Sequence, residues 1–163
     1  MSPPVPGDSI FAITDGGDNS SKTHAAEVED TLVARGVRLF TCMPLPDLFL
    51  ARTRTPEEAN GPERMRSLVW ATGGNLFSFT SSRTQLSPSR VYADESERIS
   101  RTLSAFAQQI GRYDRLEIRL ANPVDKPRTW NLDVIGDNGK PKRDLTVLYP
   151  HKLMPCSAGQ KTN

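Results

Sequence analysis

The sequence predicts an α/β fold: part of a doubly wound parallel sheet, followed by a small antiparallel β meander. Three observations predict it. Residues 9–43 spell strand, helix, strand, with only Gly36 and the start of the second strand between helix and sheet, the order of a βαβ unit with parallel strands and a right-handed crossover. Two later stretches carry apolar residues at helical spacing, with a third apolar strand between them. After Gly111 the apolar period changes to two, which suits antiparallel strands with one wet face.

Each element has its own grounds. Residues 2–7 (SPPVPG) read as an extended leader, because three prolines disfavour helix. Ser9–Thr14 (SIFAIT) reads as a strand buried on both faces. DGGDNSSKT follows as a turn-rich loop. In 24–35 (HAAEVEDTLVAR), Ala25, Val28 and Leu32 share a helical face, and Gly36 stops it. Val37–Met43 (VRLFTCM) is the second strand, and 44–62 reads as a Pro- and Thr-rich loop. In 63–72 (ERMRSLVWAT), Met65, Leu68 and Val69 form one face. Gly73-Gly74 ends that helix before the third strand, Asn75–Thr80. In 95–112, Ile99, Leu103, Phe106 and Ile110 make one stripe, with Asp94 or Ser96 as the expected cap.

Beyond Gly111, Leu116, Ile118 and Leu120 alternate with Arg115, Glu117 and Arg119. Trp130, Leu132 and Val134 alternate with Asn131 and Asp133, and 144–150 closes the series. Asn138-Gly139 is a hairpin signal between the last two runs. The expected division is a leader over 1–8, the α/β unit over 9–112, an antiparallel extension over 113–150 and a tail over 151–163.

Composition bounds the function. At 163 residues the chain has the size of one ordinary domain. Its apolar fraction of 36% allows a core of modest size. No apolar run approaches the ~18–20 residues of a membrane span, and Met1–Pro6 lacks the form of a secretion signal. Twenty-one basic against 19 acidic residues leave +2, so there is no electrostatic footprint for nucleic acid. Cys42 and Cys156 are too few for a disulfide scaffold, and Cys42 reads as a small core residue.

The candidate site is Thr14–Ser20 (TDGGDNS), after a strand and before a helix. In an open parallel sheet ligands bind at the carboxyl ends of strands, where strand order reverses. There Asp15 is a plausible ligand for a hard cation, with Gly16 and Gly17 turning the backbone beside it. The competing reading makes Asp15 and Asp18 turn and N-cap residues, as Asp-Gly pairs commonly are. His24 near Ser20 and Ser21 lacks the supporting motif of a triad and reads as a helix-start or surface residue. His151 reads as solvated in the tail. Trp70 and Trp130 read as core. Arg112, Arg115, Arg119, Lys126 and Arg128 read as a solvated face, interrupted by Glu117 and Asp125.

Taken together, IFAITDGGDNSSKTHAAEVEDTLVARGVRLFTCM and ERMRSLVWATGGNLFSF, in that order, resemble the second half of a von Willebrand factor A-type domain. Within that family the chain is most similar to the bacterial proteins that carry a β extension after the domain. The resemblance covers 9–112. It implies a doubly wound sheet, an adhesion-type protein-binding role without catalysis, an exported parent protein, and a metal-ion-dependent adhesion site built from three loops. Asp15 matches the Asp of the third loop. The first loop, Asp-x-Ser-x-Ser, has no counterpart. Asp18–Lys22 places Lys22 where the second Ser belongs, and Asp94–Arg98 places Arg98 there.

The family's first strands would precede Ser9, so the resemblance implies a truncated domain with an incomplete site. One carboxylate cannot supply the ~6 oxygens that Mg²⁺ or Ca²⁺ takes. The expectation is no cofactor on the isolated chain, and a divalent cation only with the missing half supplied. The expected partners are a protein ligand, the missing half-domain, or a second copy along an open strand edge. Two competing readings are a metal-dependent enzyme using the Asp15/Asp18 loop, and a subunit whose edge another chain completes.

Overall fold

The structure, a computed structural model, describes residues 5–18, 20–45, 56–80, 88–111 and 116–155. Strands β1 (Ser9–Ile13), β2 (Arg38–Leu45) and β3 (Leu76–Thr80) form a parallel sheet in the order β1-β2-β3. Helices α1 (Ala25–Ala34), α2 (Pro56–Thr72) and α3 (Pro88–Ile110) follow the three strands in turn. The α/β class and the parallel βαβ order predicted from the sequence are therefore present.

The two sheet faces are covered differently. The register sets Ile10 beside Leu39, and Phe11 beside Phe40. Since side chains alternate across a strand, Ala12, Leu39 and Leu76 share one face. They pack with Val28 and Leu32 of α1 and with Met65, Leu68 and Val69 of α2. Phe11 and Phe40 share the other face, where Phe106 of α3 meets them at ring-centroid distances of 4.7 and 5.0 Å. The core lies on β2, whose Phe40, Thr41, Cys42 and Met43 are at most 1% exposed.

One threonine joins helix to sheet. Thr72 Oγ1 donates to the Leu68 carbonyl (2.8 Å) and accepts from the Leu39 amide (3.1 Å). The Leu39 amide lies one rung before the β3 ladder, which starts at Leu76 opposite Thr41. Thr72 thus supplies the acceptor that β3 is too short to offer. Thr72→Val should leave that buried N–H unsatisfied and cost about 1–3 kcal/mol in urea denaturation. Thr72→Ser should retain most of the stability.

Four sequence expectations need correction. Ile10 and Ile13 are 45% and 54% exposed, so β1 is not buried on both faces; it is the outermost of the described strands. The loop expected over 44–62 gives way to α2 from Pro56, with Pro62 inside the helix. Helix α3 starts at Pro88, which places Asp94 and Ser96 within it and not at its cap. The meander is reduced to β4 (Arg128–Thr129) paired antiparallel with β5 (Lys152–Leu153), plus one bridge between Ile135 and Pro141. Residues 116–120 form no strand, and Leu116, Ile118 and Leu120 are 64%, 47% and 52% exposed. Alternation marks a possible strand, but only a neighbour with free backbone groups makes one.

The Asn138-Gly139 turn does form. Gly136 N–H donates to Lys140 O (2.8 Å), and Lys142 N–H to Val134 O (2.8 Å). Gly139 has a positive φ and Asn138 does not. This excludes the two-residue type I′ turn, which needs positive φ at both, and fits a three-residue loop with a left-handed glycine.

Candidate functional site

The Thr14–Ser21 loop leaves β1 at its carboxyl end, as expected. The Thr14, Asp15 and Asp18 side chains are engaged with the loop's own backbone. Thr14 Oγ1 accepts from the Gly16 amide (3.0 Å), and Asp15 Oδ1 from the Gly17 amide (3.1 Å). Asp18 Oδ1 accepts from the Ser21 amide at 2.9 Å and the Ser20 amide at 3.4 Å. Carboxylates that bond amides two and three residues on are Asx turns, so this geometry is that of the turn reading.

The loop's position is set by backbone contact. Gly16 is buried with φ +80°, and a Cβ there would lie 2.6 Å from the Gly61 carbonyl carbon of α2. The two glycines let loop and helix touch main chain to main chain. Asp15 and Asp18 themselves are exposed. The crevice expected at a reversal of strand order is not formed by the three described strands, which run in sequence order with β1 outermost. Among the described residues no group of three or more His, Cys, Asp or Glu side chains converges as a metal site would require.

The remaining sequence candidates are dispersed. His24 is the exposed N-cap of α1, its carbonyl accepting from the Glu27 and Val28 amides, with no side-chain capping bond. Cys42 is fully buried; burial pushes its thiol pKa up, against a weaker opposing hydrogen bond from Thr102. Cys156, Asn19, Arg112 and Arg115 lie outside the described residues. Arg119 pairs with Glu117 (3.2 Å), and Arg128 with Asp125 (2.7 Å), all exposed. The Arg128 guanidinium holds the Asp125 carboxyl below its ordinary value.

A second constellation went unread in the sequence. Residues 149–155 are half-buried apart from exposed Pro150, where a tail from 151 was expected. His151 stacks on Trp70 at 4.3 Å with 8° between the rings, and Tyr149 lies against it at 4.0 Å. Trp130 Nε1 donates to Pro150 O (2.6 Å), and the Trp130 amide donates to His151 O (3.1 Å). Lys152 Nζ donates to Glu29 Oε1 and Asp30 Oδ1 of α1, both at 2.6 Å. His151 is therefore not solvated, and Trp70, 46% exposed, is a docking platform outside the core. Burial lowers the His151 pKa, against a backbone hydrogen bond with Trp130. Burial also works against the Lys152 charge, but the bonds to Asp30 and Glu29 outweigh it and raise that pKa. Its signal in the sequence is slight: the run TVLYPHK sets one Tyr and one His beside a lone Lys, whose acidic partners lie more than 120 positions away.

No helix among the described residues is long and apolar enough to cross a membrane. Comparison with known proteins gives no matching family model, no matching curated protein and no matching solved structure.

Proposed function

We propose that this chain is a non-catalytic protein–protein interaction module of the von Willebrand factor A type, whose β1 edge receives a strand from another polypeptide. The open edge carries the reading. Asp8 O accepts from the Arg38 amide (2.9 Å) and the Thr14 amide donates to Cys42 O (3.2 Å). Even-numbered residues of β1 therefore turn their backbone groups toward β2. By alternation, those of Ser9, Phe11 and Ile13 face the side on which no described strand lies. Three N–H and three C=O groups in an uncharged, proline-free strand are a template for β-augmentation. Ile10 and Ile13 are half-exposed on opposite faces, so an added strand would cover apolar surface on both.

The strand order supports the family reading. The resemblance places the TDG strand beside the family's first strand, and no described strand lies on the flank of β1 that such a strand would occupy. Asp15 would then offer one carboxylate to a divalent cation, with the other oxygens supplied by the partner. Asp15 and Asp18 acting as an enzyme's own metal or phosphate-transfer site has less support, because among the described residues no group of three or more His, Cys, Asp or Glu side chains converges there.

Native-state hydrogen exchange with light scattering tests the proposal. The Ser9, Phe11 and Ile13 amides of the isolated chain should exchange freely, while the Thr41 amide, bonded to Asn75 O, is protected. Ile13→Pro removes only an outward N–H, so the chain's own stability should change little while strand addition is blocked. A monomer with all three edge amides protected would overturn the reading.

A further inference from the structure

We propose that residues 149–154 form a pH-sensitive latch, clasped to α1 and α2 at neutral pH and released when His151 is protonated. This does not rest on the edge-strand reading. The clasp has three parts. Lys152 bridges Glu29 and Asp30 of α1, with the Lys152 and Glu29 side chains only 20% and 19% exposed. The Tyr149–Pro150 backbone lies against Gly73, so close that a Cβ on that glycine would sit 2.2 Å from the Tyr149 carbonyl carbon. His151 fills the space between Trp70 and Tyr149.

His151 is the titrating part. Its Nδ1 is buried and has no hydrogen-bond partner. The imidazolium ion carries an N–H on both ring nitrogens, so protonation would place an unsatisfied cationic donor inside the clasp. The charged groups on the packed elements do not compensate. Glu29 and Asp30 are engaged by Lys152, Arg66 of α2 by Glu63, and Arg128 beside Trp130 by Asp125. Within the segment, Lys152 is itself a cation next in sequence.

The sign follows from linkage. Docking disfavours the proton, so the docked pKa lies below the free value of ~6.5. Above that value His151 is neutral in both states and the clasp has its full strength. As pH falls below it, the released segment gains the proton first and release is favoured. The weakening stops growing once the docked value is passed.

Release of the segment also parts β5 from β4, so the Trp130 amide, which donates to His151 O, reports it. Its exchange protection, corrected for intrinsic rate, should fall on the order of tenfold per pH unit between the free and docked values. Thr41 protection should hold across the same range. His151→Phe keeps a ring on Trp70 and should abolish the step. Lys152→Gln should lower Trp130 protection at every pH and keep the step. Constant Trp130 protection, a parallel fall at Thr41, a step that persists in His151→Phe, or its loss in Lys152→Gln would each overturn the latch.

Discussion

Replacing Gly74 with alanine should destabilise the chain by more than about 4 kcal/mol in urea denaturation, among the largest effects of a single methyl group. A Cβ on Gly74 would lie 1.7 Å from the Leu39 carbonyl oxygen and 2.5 Å from its carbonyl carbon. Both are main-chain atoms of β2, the strand paired on both sides. The neighbour cannot rotate away as a side chain would; the α2–β3 turn must lift off the sheet. That lift would also break the bond that the Leu39 amide donates to Thr72 Oγ1.

Gly73 is needed for a different reason. Its φ is +73°, and its amide and that of Gly74 return to the Trp70 and Val69 carbonyls at 3.4 and 3.1 Å. This is the paired closure of a Schellman cap, with Gly73 in the left-handed position. Its missing side chain also admits the backbone of Tyr149 and Pro150. Gly73→Ala should therefore cost less than Gly74→Ala in global unfolding, yet undock residues 149–154. Comparable global losses from the two would show that the turn fails as one unit, against this division of roles.

The division explains what was legible. Strand–helix–strand order and the helix stops at Gly36 and Gly73 were readable because local chemistry sets them: apolar period, left-handed glycine, strand-forming runs. The early starts of α2 and α3 were readable in principle. Both helices open on a proline, Pro56 and Pro88, and proline at the first helical position is a start signal. Reading Gly61-Pro62 as loop hid the first turns of α2. Yet Gly61 is there to let the helix touch Gly16, a demand of packing and not of local propensity.

The candidate site was legible only as a local object. Asp15 and Asp18 in a Gly-rich turn spell their Asx bonds in the sequence itself. What the rest of the molecule brings to that loop is Gly61 backbone, which no spacing rule contains. The reverse holds at the C-terminal clasp. Lys152 gains its meaning from Glu29 and Asp30, and His151 from Trp70, partners that the fold alone brings together. A period-two pattern over 116–120 likewise says nothing about whether a neighbouring strand exists.

Replacing Phe40 with alanine should cost about 3–5 kcal/mol, because the ring is wholly buried and its neighbours cannot all collapse into the space. Phe40 sits on the central strand with the Phe106 ring set edge-on at 64° and the Arg38 guanidinium 5.5 Å from its centroid. Phe106 in turn covers Phe11 of the edge strand, so the three rings tie α3 to β1 and β2 together. Phe106 is only half-buried, and Phe106→Ala should cost less. The double mutant should be less destabilised than the sum by about 0.5–1.5 kcal/mol, the worth of an aromatic pair beyond its buried area. Strict additivity would mean that α3 is held by contacts other than these rings. The same cycle separates face from edge. Phe40→Ala removes the packing that holds β1 flat on its neighbour, whereas Ile13→Pro removes only a donor pointing outward. Stability lost in the first and kept in the second is the pattern expected of a strand fixed on its inner side and available for pairing on its outer one.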